Sequence, residues 1–154
     1  NTPFRQHKQS GLEGGSHTPF IVHWPEKIAP NTITDQVGHV VDMAPTFLDL
    51  LKIAYPDSIQ GHPTIPLHGS SLLPVFMGEQ REEPEYFVSG MNKFRMFRSG
   101  EYKIVRMNGG PWELYDMTKD PSELVNLADT MPEKVKELAM HYESTPVGNP
   151  DGLP

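Results

Sequence analysis

The chain has 154 residues, a length within the usual range for a single domain. Its 13 Lys and Arg residues against 20 Asp and Glu residues give a formal net charge of -7. Because the sequence contains no basic run, this charge balance argues against nucleic acid as a partner. We expect no membrane segment, since no apolar stretch is long enough to cross a bilayer. The lack of cysteine excludes disulfides and thiolate metal sites and leaves the cellular compartment open.

The first segment of the chain is typical of a loop followed by a buried strand. Residues 1–18 are polar and glycine-rich, whereas residues 20–24 form a short apolar run that ends before Pro25. A continuous apolar run of this length favours a strand that is covered on both faces, as in a parallel or mixed sheet with helices on each side. We therefore predict a strand at residues 20–24 within an α/β layer.

The middle of the chain predicts one helix and a long connection. Asp42 can cap a helix over residues 43–53, whose apolar stripe would pack against a sheet. Residues 54–83 are rich in proline and glycine, a composition that predicts an irregular connection. We place the boundary between two subdomains at the end of this connection.

Short apolar runs alternate with turn residues in the last part of the chain. This pattern predicts a small sheet of four antiparallel strands near residues 85–89, 94–98, 102–107 and 112–116.

Two helix-start signals follow the predicted sheet. Residues 120–123 place a capping Asp before a Pro and a Glu, which predicts a helical turn through Leu127. Residues 130–133 repeat the signal and predict a helix with one apolar stripe that packs on the sheet. The stripe comprises Val135, Leu138, Ala139 and Tyr142.

The histidines and the first loop are the candidates for chemistry. The seven histidines lack the spacing of a metal site, so we predict no metal site in this chain. His17 lies beside the glycine-rich loop, and His23 lies at the end of the predicted strand, where ligands often bind. The loop carries Arg5, His7 and Lys8 among glycines, an arrangement that can face a phosphate or sulfate group. The residues alone leave open a solvated basic loop, which is the commoner arrangement.

Several blocks of the sequence together resemble type I sulfatases. PFRQHK at residues 3–8, EGG at 13–15 and TPFIVHWP at 18–25 are similar to the segment that holds the late active-site lysine of these enzymes. The further blocks are HVVDMAPTFLDL at 39–50, GSSLLP at 69–74, and WELYD at 112–116 followed by DPSE at 120–123 and NL at 126–127. The resemblance extends over residues 1–143.

The resemblance implies the end of an alkaline-phosphatase-like α/β domain, followed by a small four-stranded antiparallel sheet with a C-terminal helix. It implies hydrolysis of the sulfate esters of a small molecule or carbohydrate, with Lys8 as a catalytic residue that contacts the sulfate. His7 and His17 are then candidate substrate contacts. Calcium and a formylglycine nucleophile are implied for the complete enzyme. No residue of this chain matches either of them, so we expect the chain alone to be inactive.

The same resemblance sets the expected organisation. We expect residues 1–83 to end the α/β domain, residues 84–143 to form the small subdomain, and residues 144–154 to be a flexible tail. The chain starts at Asn1, so we expect an upstream segment that would carry any export signal. The matching enzymes imply a periplasmic or secreted location. We also expect self-association through apolar surface that the upstream part would otherwise cover.

Two other functions remain open. A related phosphoester or phosphonate hydrolase would share the fold and differ in the upstream part. A non-catalytic module that binds carbohydrate or protein would need exposed aromatic rings on the sheet as a stacking face. The rings in question belong to Phe94, Tyr102, Trp112 and Tyr115. The alternation of Trp112 and Leu114 with Glu113 favours core packing for Trp112.

Overall fold

The computed structural model of the chain describes residues 2–82, 84–91 and 93–147. The chain divides into two compact units. One unit combines residues 1–19 with residues 84–154, and the other comprises residues 20–83. The first unit therefore draws on both ends of the chain.

A four-stranded antiparallel sheet forms the centre of the first unit. Its strands follow chain order, because each pair is joined by a short turn. They are β3 (Phe87–Met91), β4 (Phe94–Ser99), β5 (Tyr102–Met107) and β6 (Glu113–Asp116). Cross-strand partners include Ile104, which lies opposite Phe97 on β4 and Leu114 on β6. The predicted meander is confirmed, although β3 begins two residues later than expected; the turn residue Asn92 lies outside the described residues.

One face of the sheet is covered by the helix α4 (Pro132–Glu143). Leu138 and Tyr142 of this helix are buried and pack with Phe97, Ile104 and Leu114 of the sheet. These residues lie on one stripe of the helix because positions i and i+4 fall on the same helical face. The mixed α/β fold class and the packing of the C-terminal helix are therefore confirmed.

The opposite face of the sheet is covered by the first residues of the chain. Leu12 is 2% exposed and packs among Phe94, Met96 and Val105. It immediately precedes α1 (Glu13–Ser16), a single helical turn. Sheet residues that alternate along a strand point to opposite faces, so one sheet supports both layers. The glycine-rich loop is thus part of the sheet unit.

The sequence predicts that residues 1–83 belong together. The structure separates these residues near the same boundary, between residues 83 and 84, but it groups residues 1–19 with the sheet. Contacts of Leu12 with β4 and β5 explain this grouping. The assignment of the segments to domains of a complete enzyme stays a prediction.

Residues 120–127 do not form the predicted helical turn. Glu123 adopts a left-handed backbone conformation with φ 58°, which no α-helix contains. The carboxylate of Asp120 accepts a hydrogen bond from the Val125 amide at 2.7 Å, and this bond closes a turn instead of capping a helix. The turn directs the side chain of Glu123 inward, where it is fully buried.

The second unit is built from a short 3-10 helix (Val40–Asp42) that leads directly into α2 (Met43–Leu51). The rest of the unit is irregular, as predicted for residues 54–83, with three short elements. These are the paired strands β1 (Ser58–Ile59) and β2 (His62–Pro63), and the helix α3 (Leu73–Phe76). Helix α2 ends at Leu51 because Lys52 takes a left-handed conformation with φ 55°.

The predicted strand at residues 20–24 is wrong for the described chain. The segment has no strand assignment, and Phe20 and Ile21 are 58% and 87% exposed. A strand needs a neighbouring strand to bond its backbone groups. The described residues offer none to this segment, which explains the difference.

Asp42 and Arg81 hold the second unit together. Their side chains are almost completely buried and form an ion pair of 3.0 Å. The Asp42 carboxylate also accepts hydrogen bonds from the amides of His39 at 2.8 Å and Ser70 at 3.0 Å. The prediction that Asp42 caps α2 is therefore wrong for its side chain, which makes no capping hydrogen bond to this helix. Thr46 adds a further link, because its hydroxyl accepts a hydrogen bond from the Leu72 amide at 2.8 Å.

Two remaining features concern the ends of the chain and membranes. Thr145 is buried and its hydroxyl donates to the carbonyl of Tyr142 at 2.7 Å, so the predicted tail begins as a packed turn. The rest of that predicted tail, residues 148–154, lies outside the described residues. Within the described ranges, no helix combines the length and apolar composition that crossing a bilayer requires.

The buried ion pair of the second unit yields a stability prediction. Asp42→Asn keeps the shape of the side chain but leaves the Arg81 guanidinium without a counter-charge. We expect the free energy of unfolding of this unit to fall by about 3–5 kcal/mol, the usual cost of removing one partner of a buried ion pair. Hydrogen exchange of the Ser70 and Leu72 amides measures the loss locally. Asp35→Asn, at an exposed position of the same unit, is the control; equal exchange in the two variants would contradict the assignment.

Candidate functional site

The loop that carries Lys8 runs from Phe4 to Ser10. Lys8 and His7 are exposed on it, and within the described residues the Lys8 ammonium makes no hydrogen bond or ion pair. The His7 ring lies with Nδ1 at 2.9 Å from the Lys8 carbonyl oxygen. The loop therefore presents an exposed lysine followed and preceded by exposed polar residues, with the His7 ring held against the Lys8 backbone.

Helix α1 packs against the backbone of this loop. The Gly14 amide donates to the Arg5 carbonyl oxygen at 3.0 Å, a bond that joins the two ends of the loop. A Cβ atom on Gly14 would collide with the carbonyl oxygens of Arg5 and Gln6, and one on Gly15 would collide with that of Ser10. The two glycines of the EGG block are therefore needed for close backbone approach, not for turn flexibility.

Arg5 points away from the exposed side of the loop. Its guanidinium donates to the Tyr115 hydroxyl at 2.9 Å and to the Glu123 carbonyl oxygen at 2.6 Å. The Tyr115 hydroxyl in turn donates to the Glu113 carboxylate. Arg5 therefore anchors the start of the loop to the sheet unit and is already engaged by protein groups.

A buried cluster of three charged residues anchors the end of the loop. The ammonium of Lys103 on β5 lies 2.6 Å from Glu13 Oε1 and 2.8 Å from Glu123 Oε1. The first contact is also aligned as a hydrogen bond, whereas the second is an ion pair only. Glu123 Oε2 accepts the Glu13 amide at 2.6 Å. One ammonium thus connects α1, β5 and the turn at residues 120–127.

The two carboxylates of this cluster differ in pKa. Burial raises the pKa of Glu123, and the nearby Glu13 charge acts in the same direction, while Lys103 offsets only part of the effect. For Glu13, burial opposes ionisation, but Lys103 and His17 outweigh it and bring the pKa below the usual glutamate value. On acidification, Glu123 therefore takes up a proton before Glu13 does.

His17 is fixed by two contacts within the sheet unit. Its ring stacks on Phe4 with a centroid distance of 4.3 Å, and Nδ1 lies 3.0 Å from Glu13 Oε2. About half of the side chain remains exposed. Of the other candidates from the sequence, His7 lies next to Lys8 in the loop, while His23 lies in the second unit.

The described residues do not fit a calcium site. They contain no group of three or more His, Asp or Glu side chains arranged to hold a metal ion. Calcium requires several oxygen ligands around one point. In the loop region, the carboxylates of Glu13 and Glu123 both contact the Lys103 ammonium. This pair of carboxylates therefore already has a cationic partner and does not form a calcium site.

Sequence reasoning missed Lys103 and Glu123. The sequence does contain a signal for Lys103, because Lys103 and Val105 are two residues apart and therefore lie on the same face of a predicted strand. Such an inward-facing lysine needs a buried carboxylate partner. The partner is hidden in the sequence, because Glu123 falls within a helix-start signal.

The aromatic rings proposed as a stacking face are not exposed. Phe94 and Tyr115 are buried, and Trp112 and Tyr102 are partly covered by Arg106 and Lys134.

The anchor of Arg5 yields a prediction on pH. Burial and the bond to Glu113 raise the pKa of Tyr115 to about 12, although Arg5 opposes the shift. Because the folded-state value lies above the ordinary value of 10.0, the neutral hydroxyl stabilises the fold below pH 10. This contribution is lost as the pH rises from about 10 to about 12.

Tyrosinate absorbance measures this titration directly. Burial also raises the pKa of Tyr142, so the native protein should show two late-ionising tyrosines and Tyr115→Phe only one. Tyr86→Phe, which removes an exposed hydroxyl, is the control and should leave both late steps in place. An unchanged late step in Tyr115→Phe would contradict the anchoring geometry.

Comparison with known proteins places this geometry in context. The chain is 31% identical over 147 residues to an uncharacterized sulfatase of Schizosaccharomyces pombe, and the match covers 91% of the chain and 26% of the relative. It is 31% identical over 157 residues to an N-acetylgalactosamine-6-O-sulfatase of Bacteroides thetaiotaomicron, and this match covers 92% of the chain and 29% of the relative. It is also 30% identical to arylsulfatase K of Bos taurus over 90% of the chain and 27% of the relative.

Solved structures agree with this relationship. A sulfatase structure from work on glycosaminoglycan metabolism by Bacteroides thetaiotaomicron matches with a TM-score of 0.69 at 29% identity, covering 92% of this chain and 31% of that one. A structure in complex with its substrate D-glucosamine-2-N,6-O-disulfate matches with a TM-score of 0.60 at 26% identity, covering 87% of this chain and 29% of that one. The predicted alkaline-phosphatase-like sulfatase fold is therefore confirmed for the part that the chain spans.

The chain spans about a quarter to a third of the length of the curated relatives it matches. A family model described as N-sulphoglucosamine sulphohydrolase, C-terminal, matches residues 7–145. That range includes Lys8, the EGG block, the second unit and the whole four-stranded sheet. The chain therefore belongs to this sulfatase C-terminal family.

Proposed function

We propose that this chain supplies the C-terminal part of an enzyme that hydrolyses sulfate esters of carbohydrates, and that Lys8 contacts the sulfate group. The observation that carries the proposal is the exposed Lys8 ammonium on a loop whose two ends are anchored in the sheet unit. The match of the sulfatase family model over residues 7–145 supports the same conclusion.

The chemistry follows from the charge of the ammonium. Cleavage of a sulfate ester places negative charge on the leaving oxygen, and a positioned cation stabilises that charge as it develops. Hydrogen bonds to charged groups contribute about 1.5–3 kcal/mol each. Lys8 is suited to this role because its ammonium makes no hydrogen bond or ion pair with the described protein groups.

The two histidines take different roles in this proposal. His7 is exposed next to Lys8 and can donate a hydrogen bond to a second oxygen of the same anion. His17 is held by Phe4 and Glu13, so its part is to support the loop, with the exposed portion of the ring at the edge of the site. In a complete enzyme we expect calcium and the formylglycine nucleophile to come from outside this chain.

The substrate class is inferred from relatives. Two relatives of Bacteroides thetaiotaomicron are described as 6-O-sulfatases of N-acetylgalactosamine and N-acetylglucosamine, and one solved neighbour holds a sulfated glucosamine. A sulfated sugar is therefore the class to test first. Aryl phosphate and phosphonate esters test the related hydrolase reaction that the sequence left open.

Lys8→Ala in the full-length protein tests the proposal. Removal of one preorganised donor from a transition-state site lowers turnover by about a hundredfold to a thousandfold. We expect a loss of that size with an unchanged melting temperature, because the Lys8 side chain makes no described contact that stabilises the fold. Turnover of an aryl sulfate and of a sulfated hexosamine should fall together.

Lys27→Ala is the matched control, since Lys27 is exposed in the other unit. Equal and small effects of the two substitutions would overturn the proposed role of Lys8. A preference for phosphonate or phosphate esters over sulfate esters in the parent protein would overturn the proposed reaction.

The second unit supports a separate expectation for the chain in isolation. An open apolar groove runs between the segment at residues 20–24 and helix α2, with Phe20, Phe47 and Leu50 among its exposed lining residues. In a complete sulfatase we expect the rest of the α/β domain to cover this groove. In the isolated chain we expect a second copy to do so, because exposed apolar patches drive association.

Light scattering tests this expectation. The chain should show a mass above that of one copy, and Phe47→Asp in the groove should restore the single copy. Ile33→Asp, at a position that is 96% exposed and outside the groove lining, is the control. A parent chain that stays a single copy at high concentration would contradict the expectation.

A further inference from the structure

Glu123 touches both ends of the Lys8 loop. Its backbone carbonyl oxygen accepts the Arg5 guanidinium at 2.6 Å, before Lys8 in the chain. Its carboxylate accepts the Glu13 amide at 2.6 Å, after Lys8. The remaining carboxylate oxygen lies 2.8 Å from the Lys103 ammonium, which connects it to the sheet. One residue, far away in sequence, therefore holds the loop at two points.

The backbone of Glu123 is adapted to this double contact. A φ of 58° is uncommon for a residue other than glycine, asparagine or aspartate and persists only where the surroundings impose it. This conformation directs both the carbonyl group and the side chain of Glu123 toward the loop. The Glu123 amide is bonded to the Asp120 carbonyl oxygen at 3.0 Å, and this bond holds the turn.

We propose that Glu123 is a positioning residue for Lys8, acting through Arg5 on one side of the loop and through Glu13 on the other, with Lys103 as its counter-ion. This inference rests on the proposed function, in which Lys8 contacts the sulfate. Glu123 itself is completely buried and does not reach the exposed side of the loop where Lys8 lies. Its effect on the reaction must therefore pass through the placement of Lys8.

The charges of the cluster explain why loss of Glu123 would free the loop. An amide in place of the carboxylate has one oxygen for two donors, so either the buried Glu13 amide or the Lys103 ammonium loses its acceptor. Buried donors without partners favour conformations that reach water. The end of the loop next to α1 would then move away from the sheet, and the Lys8 ammonium would move with it.

A double-mutant cycle in the full-length enzyme tests this inference. The four proteins are the parent, Lys8→Ala, Glu123→Gln and the double variant, each measured for kcat and KM on an aryl sulfate. If Glu123 acts through Lys8, Glu123→Gln lowers kcat by about tenfold or more in the parent and has little further effect once Lys8 is gone. Leu138→Ala, which weakens the opposite face of the sheet, is the control and should give the same factor in both backgrounds.

Hydrogen exchange of the 154-residue chain provides a readout without activity. In Glu123→Gln, the amides of Glu13 and Gly14 should exchange faster relative to those of β5, whereas in Leu138→Ala this ratio should not rise. Glu123→Asp serves if the Gln variant does not fold, because it keeps the charge and withdraws the carboxylate by one methylene. It should raise the same exchange ratio and lower kcat in the same Lys8-dependent way.

The outcomes separate the two proposals. A large loss in Lys8→Ala, with the same factor for Glu123→Gln in both backgrounds, would overturn the positioning role and leave the proposed function intact. Parent-like turnover in Lys8→Ala would overturn both. Loss of kcat that disappears in the Lys8→Ala background, together with faster exchange at Glu13, would support the positioning role.

Discussion

The buried ammonium of Lys103, shared between Glu13 and Glu123, is the interaction on which the first unit depends. A lysine that is 1% exposed is tolerated only where carboxylates compensate its charge, since an unpaired buried charge carries a cost of several kcal/mol. The compensating carboxylates come from segments that are far apart in the chain, α1 and the turn at residues 120–127. If either segment moved away from the sheet, Lys103 would lose one of the two carboxylates that compensate its charge. The interaction thereby fixes the start of the chain to the sheet.

The EGG block of the sulfatase motif gains a physical meaning from this arrangement. Glu13 supplies the charge that meets Lys103, while Gly14 and Gly15 allow α1 to lie directly against the backbone of the preceding loop. A motif that resembles an active-site signature therefore consists mostly of residues that hold the loop in place. The small sheet, in turn, supports the end of that loop through its packing with Leu12.

The second unit shows the same division of labour between motifs. The block at residues 39–50 and the block at 69–74 meet through Asp42 and Thr46, which bond the amides of Ser70 and Leu72. Their polar residues build the interior of this unit, and several of their apolar residues, Phe47 among them, remain exposed in the groove. Exposed apolar groups of this kind form a surface on which another layer or a second copy can pack.

The sequence by itself determined the meander, the C-terminal helix and the family, and it singled out the Lys8 loop as the candidate site. These features rest on local signals: alternation with period two, a helical stripe and motif spacing. Only the tertiary structure decided the placement of residues 1–19 on the sheet, the inward turn of Glu123 and the unpaired segment at residues 20–24. Each of these depends on a partner distant in sequence, because a buried charge needs its counter-ion and a strand needs its neighbour. Residue patterns within one segment do not reveal which distant segment supplies that partner.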